Sequence, residues 1–202
     1  MDSTDFIPAG TDIILASQSP RRSQLLQWAE IPFRVVVSEA DESIPPGLEP
    51  DEVARHIAAK KADTVKTLHP EPHVVVIAAD TLVVVDRDIL GKPGHPAEAV
   101  AMLKRLQNRS HRVITGVHML YGEKVASFSE ETLVEFHPLD DAQISFYIDK
   151  YKPFDKAGGY AIQEWVGVVG IRSISGDFYN VMGLPVSRVV QTLRQLFNPG
   201  KP

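Results

Sequence analysis

The sequence predicts an α/β protein built on a mixed sheet, and three observations carry that expectation. An apolar, β-branched run at Asp12–Ser17 passes into a helix signal and then into a second run at Phe33–Val37, the order of a strand–helix–strand unit. His73–Val85 is almost continuously apolar, which reads as a buried strand interrupted by Asp80 and Thr81. Two long segments, Ser110–Tyr121 and Val125–Phe136, flank Gly122-Glu-Lys124 and read as a hairpin. Parallel-compatible units beside a hairpin imply a mixed sheet with flanking helices.

The elements follow in chain order. Ser19 is placed to cap a first helix whose first turn holds Pro20, a favoured site because the missing N–H costs nothing there. Leu25, Leu26 and Ala29 give that helix one apolar face, with Trp28 at its edge. Residues 39–50 form an acidic, proline-rich loop. Pro50 opens a second helix with Asp51 and Glu52 at its positive end, Val53, Ile57 and Val65 inward, and Lys60 and Lys61 towards its later half. "ILGKPGHP" reads as a loop, and a third helix runs from Pro96 to about Gln107. Asp140–Lys150 reads as helical, "YKPFDKAGGY" as a loop, and Tyr160–Gln163 and Val168–Ile174 as strands. A last helix runs from about Pro185 to Phe197, and the ends at about 1–11 and 198–202 are expected to be disordered.

At 202 residues, 44% apolar and 23% charged, the chain is long and apolar enough to bury a core, as one large domain or two lobes sharing one. No repeat or linker marks separate domains, so residues 1–202 are read as one. A formal charge of -5 argues against a broad nucleic-acid-binding surface, though not against a small basic pocket. The absence of cysteine excludes disulfides and thiolate metal sites and suits a reducing compartment. The N-terminal stretch lacks a basic n-region, and apolar runs such as Val74–Ala79 fall far short of a membrane span. A soluble, cytoplasmic protein without membrane association is expected.

Several residues are candidates for chemistry. Arg21 and Arg22 stand where a strand runs into a helix start, and amides at a helix start together with two guanidiniums suit phosphate oxygens. Solvated first-turn arginines are the alternative, against a small dipole penalty. Asp80 lies in an apolar run, where a carboxylate needs hydrogen bonds, a cation or a metal; an aspartate bonded to backbone amides at a strand end is the plainer reading. Lys61, Lys92 (in Gly-Lys-Pro) and Lys156 are available cations, each taken alone more simply read as a solvated surface lysine. Glu39, Asp41 and Glu42 with Asp80 form a plausible hard-cation set, or else a solvated acidic loop. None of the seven histidines (His56, His69, His73, His95, His111, His118 and His137) shows a zinc spacing, and they are read as structural or surface residues. G-x-S-x-G, Walker A and G-x-G-x-x-G are all missing. In "GDFYNVMGLP", Gly176 and Gly183 permit unusual backbone angles, and Phe178 or Tyr179 either stacks on a base or packs in the core.

Taken together, "LASQSPRR", "AADTLVVVDRDILGKP", "SHRVITGV", "DKAGGYAIQ" and "GDFYNVMGLP", in this order and spacing, closely resemble the Maf family of nucleoside triphosphate pyrophosphatases. The resemblance runs from about Ile13 to Leu196. It implies cleavage between the α- and β-phosphates of a nucleotide, a divalent cation (Mg²⁺ or Mn²⁺), a cytoplasmic setting and a homodimer. It also implies a two-lobed α/β fold around a central cleft, similar to inosine triphosphatases, and a role in clearing non-canonical nucleotides. By position, Asp80 matches the family's proton acceptor. Ser17, Arg21, Arg22, Glu42, Lys61 and Lys92 match residues that handle phosphates, metal or water; Lys61 and Lys92 are assigned to catalysis as well, and Asp80 with Glu42 to the metal. Arg21, Thr81 and Gln163 match the trio associated with substrate choice in the branch resembling dTTP/UTP pyrophosphatases, whereas the branch preferring 7-methyl-GTP carries a tryptophan after Ser-Pro. Ala79, Ala161 and Glu164 stand where the family usually has glycines, and Glu164 adds a charge beside the base-reading position. A pyrophosphatase of different base preference and a nucleotide-binding regulator of cell division are the alternatives. Asp80 together with Lys92 separates the last, because a pure binder has little use for a carboxylate facing a triphosphate.

Overall fold

The protein is described by a computed structural model over residues 4–198. It is a mixed α/β structure. The strands are β1 (Asp12–Leu15), β2 (Arg34–Val35), β3 (Val74–Val85), β4 (Asp88–Leu90), β5 (Ser110–Tyr121), β6 (Lys124–Phe136) and β7 (Ile171–Ser175). The helices are α1 (Pro20–Trp28), α2 (Pro50–Leu68), α3 (Pro96–Leu106), α4 (Asp141–Tyr151), α5 (Trp165–Gly170), α6 (Phe178–Met182) and α7 (Val186–Phe197). The strands form a seven-stranded sheet in the order β2-β1-β3-β5-β6-β7, with β4 folded back onto β3. β1 is parallel to both β2 and β3, whereas β3–β4 and β6–β7 are antiparallel.

The chain divides into two compact units, and β3, β5 and β6 each run from one into the other. The first comprises residues up to Asp80, Thr115–Glu130 and the chain from Gly183 onward. Its core is built from β1 and β3, where Ile14, Ala16, Val74, Val76 and Ala78 pack with Ala62 and Val65 of α2 and Leu120 of β5. The start of α2 is set by Pro50 at its first position, by Asp51 and Glu52 in the first turn, and by the Glu52 carboxylate accepting the Glu49 N–H at 3.0 Å. Ala54, Ala58 and Ala62 are fully buried on its inner face, so the helix backbone lies close against the sheet.

That close approach depends on Gly116. A Cβ there would lie 2.3 Å from the Ala54 carbonyl carbon and 2.4 Å from Arg55 N, atoms of helix backbone that cannot move aside as a side-chain tip does. Gly116→Ala is therefore expected to lower the free energy of unfolding by roughly 3 kcal/mol, the upper end of overpacking costs. Urea unfolding of the purified variant checks this; a midpoint equal to wild type would refute the packing argument.

The second unit comprises Thr81–Ile114 and Glu131–Met182. His95 caps α3, its Nδ1 accepting the Glu98 N–H at 3.2 Å, while the Glu98 carboxylate accepts the Gly94 N–H at 2.7 Å. Asp140 caps α4 in the same reciprocal way with Gln143.

Several expectations require correction. Tyr160–Gln163 is a turn, not a strand: Gly158 (φ 68°) and Gly159 (φ 72°) take left-handed angles that break extended structure, and Glu164 N–H closes the turn onto the Ala161 carbonyl at 3.1 Å. Val168–Gly170 belongs to α5, and the strand begins only at Ile171. The expected strand at Phe33–Val37 shrinks to the exposed pair Arg34–Val35 at the sheet edge. The loop "ILGKPGHP" begins inside β4, and "GDFYNVMGLP" holds the short helix α6. β3 holds as the single strand expected, with Asp80 and Thr81 the two half-buried positions in its otherwise buried run. Ser19 occupies the cap position of α1 without a side-chain cap bond. Of the ends expected to be disordered, residues 1–3 and 199–202 lie outside the described residues; Phe6 packs on Phe197 with a ring separation of 6.3 Å. Among the described residues no helix is long and apolar enough to cross a membrane.

Candidate active site

In the first unit, four of the charged candidate side chains come together. Asp80 sits near the middle of β3, and Lys61 reaches it from the α2 helix. The Lys61 ammonium lies 2.7 Å from Asp80 Oδ1 and 2.9 Å from Glu42 Oε1, bridging the strand carboxylate to the acidic loop. The Lys61 and Asp80 side chains are 13% and 15% exposed and Glu42 is 55% exposed, so the pair is shielded while its third member faces water. The neighbouring Lys60 holds the same loop, its ammonium donating to Ser43 Oγ at 3.1 Å and lying 3.5 Å from Asp41 Oδ2. Ser43 in turn donates its backbone N–H and hydroxyl to Asp41, which holds that carboxyl below the usual carboxylate range.

Arg22 is the fourth. Its Nε donates to the Gly183 carbonyl at 2.8 Å and its Nη1 to Ser17 Oγ at 3.2 Å, while Ser17 Oγ also accepts the Ser19 N–H at 3.1 Å. Thus Ser17, in the turn after β1, orients the guanidinium at the first turn of α1. Burial lowers the Arg22 pKa from its ordinary value, the charges of Asp80 and Glu42 oppose that shift, and Arg21 beside it adds to the lowering. Arg22, Asp80 and Glu42 therefore share one electrostatic environment. Arg21 is half-buried on the same turn. The result is a set of cations at a helix start, adjacent to a lysine-bridged carboxylate pair: an arrangement that can neutralise phosphate oxygens while offering a base.

Among the described residues no group of three His, Cys, Asp or Glu side chains is placed to hold a metal, so a closed protein cage is absent there. Asp80 and Glu42, both ion-paired to the Lys61 ammonium, are the carboxylates there that could hold a hard cation such as Mg²⁺, which takes further ligands from water and phosphate oxygens.

The second unit holds the other predicted residues. Thr81 follows Asp80 in β3 and is half-buried. Lys92 is exposed in the loop between β4 and α3, and the Gly158 N–H donates to the Gly91 carbonyl at 2.9 Å, tying that loop to the segment that leads to Gln163. Gly158 is required there: a Cβ would meet Val83 Cγ1 at 2.9 Å. Gln163 is exposed at its turn. Lys156 is not a surface lysine but 8% exposed, with its ammonium 2.7 Å from Asp155 and 3.5 Å from Glu164. Phe178 and Tyr179 do not enter the core; both are exposed and pack edge-to-face at 5.6 Å.

His111, read as structural from sequence, is so. It is 2% exposed, its Nε2 is 2.7 Å from the Tyr160 hydroxyl, and its ring lies 5.5 Å from Phe136. Burial, then the charge of Arg109, lowers its pKa from 6.5 to about 4. Between those values the unfolded chain binds a proton that the folded chain refuses. This contribution to stability is complete above pH 6.5 and is lost as pH falls towards about 4, amounting to roughly 3 kcal/mol. Urea unfolding at pH 7, 5.5 and 4 should show the decline, and His111→Gln should flatten it; an equal slope in the variant would refute the assignment.

Sequence reasoning missed the Gly183 carbonyl that anchors Arg22, since the partners lie 161 residues apart. It also missed the roles of Lys60 and Tyr147, which carry no motif; Tyr147 sits fully buried on α4 with its hydroxyl bonded to Glu164.

Comparison with known proteins is broad and consistent. A profile of Maf-like proteins matches residues 12–196. The dTTP/UTP pyrophosphatase of Cytophaga hutchinsonii is 52% identical over 94% of this chain and 86% of that protein. The proteins of the same name from Symbiobacterium thermophilum and Parabacteroides distasonis are 47% and 46% identical, over 93% and 90% of this chain and 95% and 94% of their own. The structure of the Staphylococcus aureus Ham1 protein superposes with a TM-score of 0.46 at 15% identity, covering 62% of this chain and 72% of that one, too loose a likeness to bear on function. With the profile spanning nearly the whole chain and the arginine, lysine and aspartate positions arranged as described, the chain belongs to the Maf family.

Proposed function

We infer that this protein hydrolyses dTTP and UTP to the nucleoside monophosphate and pyrophosphate. The observation that supports this best is the Lys61-bridged pair of Asp80 and Glu42, in the electrostatic field of Arg22, in a chain whose relatives bear the name dTTP/UTP pyrophosphatase. Arg21, Arg22, Lys61 and Lys92 take the triphosphate charge, and Ser17 holds the Arg22 guanidinium in register. With Asp80 Oδ1 engaged by Lys61, Oδ2 is the atom assigned to take the proton of the attacking water. Water oxygen bonds to the α-phosphorus, the bond to the bridging oxygen breaks, and pyrophosphate leaves with its charge held by the cations. Positioning and electrostatic stabilisation supply most of the acceleration. Mg²⁺ or Mn²⁺ would be held by Asp80 and Glu42; when bound, it supplies charge neutralisation and a more acidic water.

Arg21, Thr81 and Gln163 set base preference in this reading, an amide and a hydroxyl matching the polar edge of a pyrimidine and penalising a base that leaves them unpaired. A cytoplasmic role in clearing non-canonical nucleotides belongs to the same proposal and agrees with the absence of cysteine.

The test is to incubate the protein with each nucleoside triphosphate and Mg²⁺, with and without EDTA, and to separate the products. Monophosphate plus pyrophosphate from dTTP and UTP, abolished by EDTA, is the expected outcome. Diphosphate plus inorganic phosphate would overturn the assigned bond, and binding without any product would favour a regulatory nucleotide-binding protein.

A further inference from the structure

Glu164 stands next to Gln163, and a carboxylate beside a base-reading amide invites the idea that it faces the nucleotide. Its contacts run the other way. Glu164 is the residue capping α5, yet its side chain makes no cap bond to that helix. Its Oε2 instead accepts the hydroxyl proton of Tyr147, and its Oε1 lies 3.5 Å from the ammonium of Lys156. The Tyr147 hydroxyl in turn accepts the Ala161 N–H at 3.1 Å. Tyr147 is fully buried, and the Lys156 side chain is 9% exposed.

The same turn is held from a third side. A Cβ on Gly167 would fall 1.7 Å from the Ile162 carbonyl oxygen, so the α5 backbone rests directly on the turn. The chain is thus restrained at Ala161 by Tyr147, at Ile162 by the close approach of α5, and at Glu164 by Tyr147 and Lys156. Ala161 and Ile162 are buried and Glu164 is half-buried, while Gln163 between them is exposed. A recognising amide discriminates between bases only as far as its position is determined, because a loose one shifts to accommodate the wrong partner.

We propose that the Tyr147–Glu164–Lys156 network determines base preference indirectly, by fixing the turn that presents Gln163, so that Tyr147 and Glu164 are positioning residues. This rests on the pyrimidine-reading role assigned to Gln163. Glu164→Ala and Tyr147→Phe should each lower the dTTP-to-GTP ratio of kcat/KM about tenfold, through a higher KM for dTTP with kcat within threefold of wild type. Glu164→Gln keeps an acceptor for the Tyr147 hydroxyl and should hold the ratio within twofold. Added to Gln163→Ala, Glu164→Ala should change the ratio no further. Amide exchange across residues 160–164 should quicken at least tenfold in Glu164→Ala.

A folded Glu164→Ala protein with an unchanged ratio overturns the proposal, as does an effect that persists in full on the Gln163→Ala background. If Glu164→Ala does not fold, Glu164→Asp, which keeps the charge but shortens its reach, takes its place with the same expected and overturning results. An unchanged ratio in Gln163→Ala overturns the pyrimidine reading itself and the proposal with it. Unchanged exchange at 160–164 in Glu164→Ala overturns the positioning role alone, whatever the substrate.

Discussion

Asp80→Asn is expected to lower pyrophosphate release from dTTP by about a thousandfold, within the range seen when a positioned general base is removed. The substitution keeps the shape of the side chain and an oxygen for the Lys61 ammonium, now 2.7 Å from Asp80 Oδ1, but removes the basic oxygen assigned to the water proton. Lys61 keeps Glu42 at 2.9 Å as counter-charge, and the site is open enough on the Glu42 side for water to assist. The loss of stability should accordingly not exceed about 2 kcal/mol. Single-turnover kinetics alongside thermal unfolding separates the two effects. Turnover near the wild-type rate would remove Asp80 from the mechanism, and a protein that no longer folds would show that the carboxylate is structural.

Lys61→Ala should be damaging in both respects. It leaves Asp80 and Glu42 facing one another without the cation between them, and it removes a donor assigned to the phosphates. Truncating one partner of a buried ion pair typically costs about 3–5 kcal/mol; with Asp80 at 15% and Glu42 at 55% exposure, solvent screening should reduce this to about 2–3 kcal/mol. For activity, the loss of one such donor corresponds to about a hundredfold to a thousandfold in kcat/KM. Because Lys61 touches Asp80 directly, the double variant Lys61→Ala/Asp80→Asn should lose far less than the product of the two single losses. Multiplicative losses would show that the two residues act independently and that the bridge has no functional weight.

How far the sequence could be read differs from element to element. β1, α1, α2, β3, α3, the β5–β6 hairpin, α4 and α7 were legible from their local residue pattern, which for α1, α2 and α3 includes a start signal at Pro20, Pro50 and Pro96. The segment from Tyr160 to Gly170 was not. Its valines and isoleucine favour a strand locally, but paired left-handed glycines upstream and the fit of Gly167 against Ile162 impose a turn and a short helix. Tertiary contact overrides propensity wherever the local preference is worth less than the packing it would forfeit.

The same division applies to the site. The ordered motifs in the sequence pointed to the family, and the resemblance, position by position, singled out Ser17, Arg21, Arg22, Glu42, Lys61, Asp80, Thr81, Lys92 and Gln163 as candidates. Which of several possible lysines meets Asp80 was decided only by folding. Lys61 turns inward to the strand carboxylate while Lys60, one residue away, turns to Ser43 and Asp41, since adjacent residues on a helix point about 100° apart. Lys156 reads as a surface cation in the sequence, yet the fold buries it beside Glu164. Glu164 reads as a charge near the base and is instead drawn inward, because a hydroxyl and an ammonium already fixed within the unit stabilise that carboxylate at a place that one-dimensional spacing does not encode.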